Sequence, residues 1–155
     1  MGETLLLKAQ VKQGKCQFKE AEESLREADT IFRGYYQNPK HPKLARIQLL
    51  MGNLLENLGK SEEALANEEE ALAIYTALFD HNHPDIATSY NNIGHSLGKL
   101  GKHEEALAKK EAALKIWQNL FGEAHPNIAT SYHNIGTSLA ELQQYELALE
   151  NQKKD

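Results

Sequence analysis

The sequence is poor in the residues that mark several common classes of protein. Among its 155 residues it has one cysteine, four prolines and ten glycines, and aromatic residues make up 7%. A single cysteine, Cys16, cannot form an internal disulfide, which favours a reducing, cytoplasmic compartment. Low proline and glycine contents beside 41% hydrophobic residues exclude a linker, a fibrous repeat and a disordered tail.

An excess of basic charge and a long apolar run are also missing. The formal net charge is −5 at pH 7, whereas nucleic-acid binders usually have a basic field, so we expect no nucleic-acid partner. Near the N-terminus only Leu5 to Leu7 form a continuous apolar run, which is far shorter than a signal-peptide core or a spanning helix. We therefore expect no membrane association.

What the sequence does contain is an internal repeat of 42 residues. His-Pro pairs begin at His41, His83 and His125. Three further sets keep the same spacing: Gly52, Gly94 and Gly136; Leu58, Leu100 and Leu142; Ala64, Ala106 and Ala148. A period of this length is typical of solenoids built from stacked supersecondary units. The predicted repeats, in a single array, are 3–40, 41–82, 83–124 and 125–155.

Each repeat is predicted to form two helices. The proline after His83 suits the first turn of a helix, because its missing N–H would have no partner there. Apolar residues then recur at helical spacing until Gly101 ends the first helix. The second helix is predicted over about residues 103–121. Glycine within a first helix costs roughly 1 kcal/mol relative to alanine, so we expect Gly94 to allow close approach of the second helix at Ala106.

The terminal repeats are predicted to be incomplete. Residues 5–15 are expected to form a short first helix, followed by a second helix from Phe18 to Tyr36. At the other end, Tyr145 is expected to open a second helix that stays unfinished. Apolar surface left uncovered at the ends would allow copies of the chain to associate. An assembly element that self-associates end to end, giving a homo-oligomer, is therefore the alternative to a binding function.

The recurring residues resemble the tetratricopeptide repeat (TPR). The resemblance lies in Asn92-Ile93-Gly94, Leu97, Leu100-Gly101-Lys102, Glu104-Glu105-Ala106-Leu107 and Ala113-Leu114. The 42-residue period and the His-Pro-Asp-Ile-Ala start are similar to the long variant of kinesin light chains and nephrocystin-type proteins. The resemblance implies an all-α fold, a right-handed α-solenoid of antiparallel helix pairs, with a concave face lined by the first helix of each repeat.

The same resemblance implies a non-catalytic scaffold that binds an extended peptide segment of a partner protein on this concave face. Most of the side chains expected there are polar and uncharged, and they supply both donors and acceptors for a peptide backbone. The expected binding residues are Arg46, Asn53, Glu56, Thr88, Asn91, Asn92, His95, Lys99, Thr130, His133, Asn134, Thr137 and Glu141.

The histidines invite a metal or catalytic interpretation, which the spacing does not favour. His41, His83 and His125 are one repeat apart and thus roughly 8–10 Å from one another, too far to share a zinc ion with bonds of about 2 Å. We expect no metal, no cofactor and no enzymatic activity. The charge runs 68–70 and 109–110 on second helices are expected to form solvated faces.

Overall fold

Six α-helices occur in the part of the chain that the structure, a computed structural model, describes, residues 18–153. They are α1 (Phe18–Tyr36), α2 (Pro42–Asn57), α3 (Ser61–Leu78), α4 (Pro84–Lys99), α5 (His103–Phe121) and α6 (Pro126–Lys153). This range contains no strand, and the predicted all-α class is confirmed. The helix predicted over residues 5–15 lies outside the described residues. None of the six helices is long and apolar enough to cross a membrane.

The chain divides into two compact units, residues 1–80 and residues 81–155. In the first unit, α2 packs against α1 and α3. In the second unit, α5 packs against α4 and α6. The pairs α2–α3 and α4–α5 lie within the predicted second and third repeats, and the exact repeat boundaries stay a prediction.

Helices α2, α4 and α6 begin at the His-Pro pairs, as predicted. The Nδ1 atoms of His41, His83 and His125 each accept a hydrogen bond of 3.1 Å from the backbone N–H two residues later. Each histidine thus caps its helix, a role that Ser, Thr, Asp or Asn usually fills. The His41 ring also stacks on Tyr36, and the His125 ring stacks on Phe121. The histidine therefore recurs because it caps one helix and, at these two turns, also packs on an aromatic ring at the end of the preceding helix.

The close packing predicted at Gly94 is confirmed and also occurs at Gly52, whereas an added Cβ at Gly136 would meet nothing within 4 Å. A Cβ atom at Gly94 would lie 2.8 Å from Cγ of Lys110 and 3.1 Å from the backbone oxygen of Ala106. In the same register, a Cβ at Gly52 would lie 2.7 Å from Cγ of Glu68. The long charged side chains of Glu68 and Lys110 fill the space beside these glycines. The prediction that the charge runs form solvated faces is therefore wrong at these two residues, since Glu68 is 1% exposed and Lys110 is 8% exposed.

The prediction that a second helix begins at Tyr145 is wrong, because α6 continues unbroken through this position. In the two complete pairs the chain turns at Gly59 and Gly101, whose φ angles are +75° and +80°. The corresponding residue in the last repeat is Gln143. A residue with a Cβ adopts this left-handed conformation at a cost of about 1–2 kcal/mol. The helix therefore runs on where the earlier repeats turn.

Candidate functional site

The predicted binding residues all lie on α2, α4 and α6, and none of them is buried. On α4 they occupy positions 88, 91, 92, 95 and 99, and this spacing places them along one face of the helix. The same spacing recurs on α6, 42 residues later. Four are partly buried, namely Glu56, Asn91, Asn92 and Asn134, and the others are exposed. The role of these residues in binding stays a prediction.

Six of the predicted residues line one cavity of about 340 Å³ in the second unit. We call this cavity the unit-2 groove. It is lined by His95, Gly98 and Lys99 of α4, by Lys110 of α5, and by His133, Asn134, Thr137 and Glu141 of α6. The remaining seven predicted residues lie outside it.

Lys110 is the one lining residue contributed by α5, and its side chain is buried beside Gly94. Its Nζ atom donates a hydrogen bond of 2.6 Å to Oγ of Ser138 and lies 3.5 Å from the backbone oxygen of Asn134. Burial disfavours the charged ammonium and lowers the pKa of Lys110, although the negative charge of Glu141 opposes this shift. Lys110 therefore joins α5 to α6 beneath the groove.

The sequence interpretation missed Lys110 as a site residue, although one signal pointed to it. Lys110 falls between Ala106 and Ala113 at helical spacing, in line with the buried Trp117. A charged residue inside an apolar stripe is expected to have a polar partner, because burying an unpaired charge is costly. Here that partner is Ser138.

Glu141 brings a negative charge to the groove. Its Oε2 atom lies 3.8 Å from Nδ1 of His103 and 3.6 Å from the position that a Cβ at Gly98 would take. The carboxylate thus reaches from α6 towards both helices of the α4–α5 pair. With Lys99 and Lys110 also in the lining, the groove carries charges of both signs beside amide, hydroxyl and imidazole groups.

The first unit has a different cavity, of about 400 Å³, which none of the predicted residues lines. Its lining includes Arg33, whose guanidinium donates hydrogen bonds to Asp29 at 2.9 Å and to Glu70 at 2.6 Å. The two carboxylates raise the pKa of Arg33. This ion network joins α1 to α3. Of the predicted residues in this unit, Glu56 accepts a hydrogen bond of 3.2 Å from Oγ of Ser61.

Within residues 18–153, no group of three or more His, Cys, Asp or Glu side chains could hold a metal ion. The three turn histidines already use Nδ1 as a helix cap. The chemistry available in the unit-2 groove is hydrogen bonding and charge pairing with a ligand.

Comparison with solved structures places these helix pairs among known folds. A protein from Podosopora anserina described as a kinesin light chain with nearly identical TPR-like repeats has a TM-score of 0.82, at 22% identity over 96% of this chain and 70% of that chain. BtubC (BKLC) from P. vanneervenii has a TM-score of 0.81, at 23% identity over 99% of this chain and 62% of that chain. A Rap protein complexed with Competence and Sporulation Factor has a TM-score of 0.76, at 20% identity over 96% of this chain and 40% of that chain.

The sequence itself matches a family model. The model of the tetratricopeptide repeat covers residues 1–77 and 85–154, which is nearly the whole chain. No curated protein matches the chain. The structural likenesses, at these low identities, show the fold. The chain belongs to the tetratricopeptide repeat family, and its helix pairs have the fold of the kinesin light chain type.

Proposed function

We propose that this chain is a non-catalytic, cytoplasmic scaffold that binds an extended peptide segment of a partner protein, with the unit-2 groove as a principal contact. The observation that carries the proposal is the groove itself, because it collects six predicted binding residues from α4 and α6 in one cavity. On α2, Arg46, Asn53 and Glu56 offer similar chemistry in the first unit.

The groove matches the chemistry of a peptide backbone. Each non-proline peptide residue presents one N–H donor and one C=O acceptor. The Asn134 amide can both donate and accept, and the Thr137 hydroxyl donates to the backbone oxygen of His133 at 3.1 Å while its lone pairs stay available. The Lys99 ammonium can donate to a peptide carbonyl. A related observation is that the Rap protein of this fold was solved with a bound factor, although a shared fold does not carry a shared ligand.

Peptides selected from a random display library on the purified chain provide the test. The tightest one, labelled for fluorescence anisotropy, is titrated with wild type and with Asn134→Ala/Thr137→Ala. Each lost hydrogen bond is worth about 0.5–1.5 kcal/mol, so the double variant should bind roughly 5- to 150-fold more weakly.

A matched control is Glu69→Ala/Glu111→Ala, which changes two exposed residues on the second helices α3 and α5. This control should keep the wild-type affinity. The proposal is wrong if the control loses binding while Asn134→Ala/Thr137→Ala binds as wild type does.

Self-association is a second candidate function, supported by a separate observation. Five large apolar side chains of α6 are exposed, which are Tyr132, Leu139, Tyr145, Leu147 and Leu149. Exposed apolar patches often mark surfaces that bind another protein. A second copy of the chain would cover this surface.

A further inference from the structure

Lys110 carries a buried charge that packing alone does not require. Its stem lies over Gly94, where Cγ and Cε are 2.8 Å and 3.4 Å from the position of an added Cβ. At the same repeat position in the first unit, Glu68 lies over Gly52, with Cγ 2.7 Å from the position of an added Cβ. Two side chains of opposite charge thus fill the same space, so the stem covers the glycine. Because burying an ammonium is costly unless it is paired, the charge of Lys110 needs another explanation.

The hydrogen bonds that Lys110 makes within residues 18–153 use two of its donors. An ammonium group has three N–H donors and no acceptor. The Nζ atom donates to Oγ of Ser138 at 2.6 Å and makes a longer contact of 3.5 Å with the backbone oxygen of Asn134. Both acceptors belong to α6, and Lys110 itself lines the unit-2 groove. A ligand in this cavity of about 340 Å³ can therefore supply the third acceptor.

We propose that Lys110 contacts the bound peptide, donating its third N–H to a carbonyl oxygen of the peptide backbone, so that peptide binding requires the protonated side chain. The inference rests on the proposed peptide binding in the unit-2 groove, and it adds to that site a residue that the predicted binding set lacks. A neutral amine has one donor fewer than an ammonium. Once its two contacts with α6 are made, the neutral form has no donor left for the peptide.

The proposed contact makes peptide affinity depend on pH in a definite direction. Burial lowers the pKa of Lys110 from its ordinary value of 10.5, and the negative charge of Glu141 opposes this shift. A peptide acceptor favours the ammonium, so binding takes up protons wherever Lys110 of the free chain is partly deprotonated. Peptide affinity should therefore fall as pH rises towards 10.5, by up to about tenfold per pH unit for one proton.

Other titratable groups also face the groove, and variants of single lysines separate their effects from that of Lys110. These groups are His95 and Lys99 of α4 and His133 and Glu141 of α6. On α5, His103 lies beside Glu141, with 3.8 Å between Nδ1 and Oε2. Replacing Lys110 leaves all five groups in place, so the pH dependence that is lost belongs to Lys110.

Fluorescence anisotropy of wild type and Lys110→Met from about pH 7 to pH 10 tests the contact. The probe is the tightest display-selected peptide without Lys, Tyr or Cys, with an acetylated N-terminus, so that its own charge stays constant in this range. Methionine keeps the long stem over Gly94 but has no donor. A hydrogen bond from a charged donor is strong, so Lys110→Met should bind roughly 10- to 150-fold more weakly at about pH 7. Its affinity should then stay constant while that of wild type falls.

Two further variants separate a direct contact from a structural role. Lys109→Met is the matched control, because it makes the same change at a neighbouring lysine whose Nζ lies over the Tyr90 ring, 5.5 Å from its centroid. It should bind and respond to pH as wild type does. Ser138→Ala removes the 2.6 Å bond to α6 but keeps the ammonium, and it should keep both most of the affinity and the alkaline loss. If Ser138→Ala loses as much affinity as Lys110→Met, Lys110 only holds α6 in place and the contact is refuted.

Calorimetry of peptide binding to the wild-type chain gives a test that needs no variant. Titrations at about pH 9 to 10, in two buffers of different ionisation enthalpy, should show proton uptake on binding. Binding without proton uptake would overturn the inference, as would a Lys110→Met chain that binds as tightly as wild type or loses affinity with pH in parallel with it. The inference fails alone if Asn134→Ala/Thr137→Ala weakens binding and Lys110→Met does not. If neither variant weakens binding, the proposed peptide site is wrong as well.

Discussion

At the scale of single residues, the turn histidines show how one side chain can serve two elements. His125 caps α6 through Nδ1, and its ring lies 4.1 Å from the ring of Phe121 at the end of α5. An aspartate or serine would cap the helix equally well but would leave the aromatic ring unstacked. At His41 and His125, where both contacts occur, the dual contact explains why the capping residue is histidine.

Replacing His125 separates the two contributions. His125→Ala removes the cap and the stacked ring, and loss of a cap alone costs about 0.5–2 kcal/mol. His125→Asn keeps a capping side chain and should recover most of that loss in urea denaturation. If His125→Asn is as unstable as His125→Ala, the ring contact rather than the cap stabilises this turn.

The buried Lys110 is the other residue whose role depends on its surroundings. Its stem covers Gly94, where a glutamate, Glu68, covers Gly52 in the first unit. The register thus requires a long side chain across the glycine, while the charge at its end differs between the two units. Lys110 uses its charge to bond Ser138 on the next helix.

Stability should depend on pH through Lys110. Because burial lowers its folded-state pKa below the ordinary value of 10.5, the unfolded chain binds more protons between those two values. The free energy of unfolding therefore rises with pH in that window, and below it the folded state has the full cost of a buried ammonium. Lys110→Met keeps the stem without the charge. Urea denaturation from neutral pH to pH 10.5 should show wild type gaining stability relative to Lys110→Met, and a constant difference would contradict the desolvation argument.

At the scale of helices, glycine has opposite effects in α4 and α6. Gly94 allows α5 to approach, whereas Gly136 meets nothing within 4 Å. The same residue type at the same repeat position is thus needed in one helix and only costly in the other. This contrast between matched positions isolates the packing effect from helix propensity.

Alanine substitutions at these glycines should change stability in opposite directions. Gly94→Ala forces its Cβ against Lys110 and a backbone oxygen. Overpacking of this kind typically costs 1–3 kcal/mol, whereas alanine gains up to about 1 kcal/mol in helix propensity. The variant should therefore be less stable than wild type. Gly136→Ala should stabilise the dilute chain by up to about 1 kcal/mol. Thermal denaturation of both variants at low concentration gives the comparison, and a stabilised Gly94→Ala would contradict the close-approach argument.

At the scale of the whole molecule, α6 takes part in both proposed interactions through different faces. The unit-2 groove uses residues 133, 134, 137 and 141, whereas the self-association candidate includes the exposed apolar residues Tyr132 and Leu139. At 100° per residue these two sets lie on opposite sides of the helix. Peptide binding and self-association through Tyr132 and Leu139 are therefore expected to be independent.

Two variants test this independence. Tyr132→Ser/Leu139→Ser should weaken self-association in sedimentation without changing peptide affinity, and Asn134→Ala/Thr137→Ala should weaken peptide binding without changing self-association. If either variant changes both measurements, the two faces act as one site.

The sequence by itself determined the repeat and most helix boundaries. The His-Pro pairs and the turn glycine Gly101 predict the starts of α2, α4 and α6 and the α4–α5 turn, because capping and turn chemistry depend on a few neighbouring residues. The resemblance to the tetratricopeptide repeat pointed to the polar face of the first helices. The sequence also predicted close packing at Gly94, since a glycine recurring inside a helix needs a steric reason.

Only the tertiary structure decided which charged residues are buried and which predicted residues share a cavity. The run Lys109-Lys110 looks like a solvated face, yet Lys110 is buried because its stem fills the space over Gly94 and Ser138 Oγ accepts a hydrogen bond from its Nζ. Likewise, the predicted turn before Tyr145 was lost because Gln143 keeps α6 helical. Local chemistry fixes caps and turns, whereas burial and shared cavities depend on contacts between residues far apart in the chain.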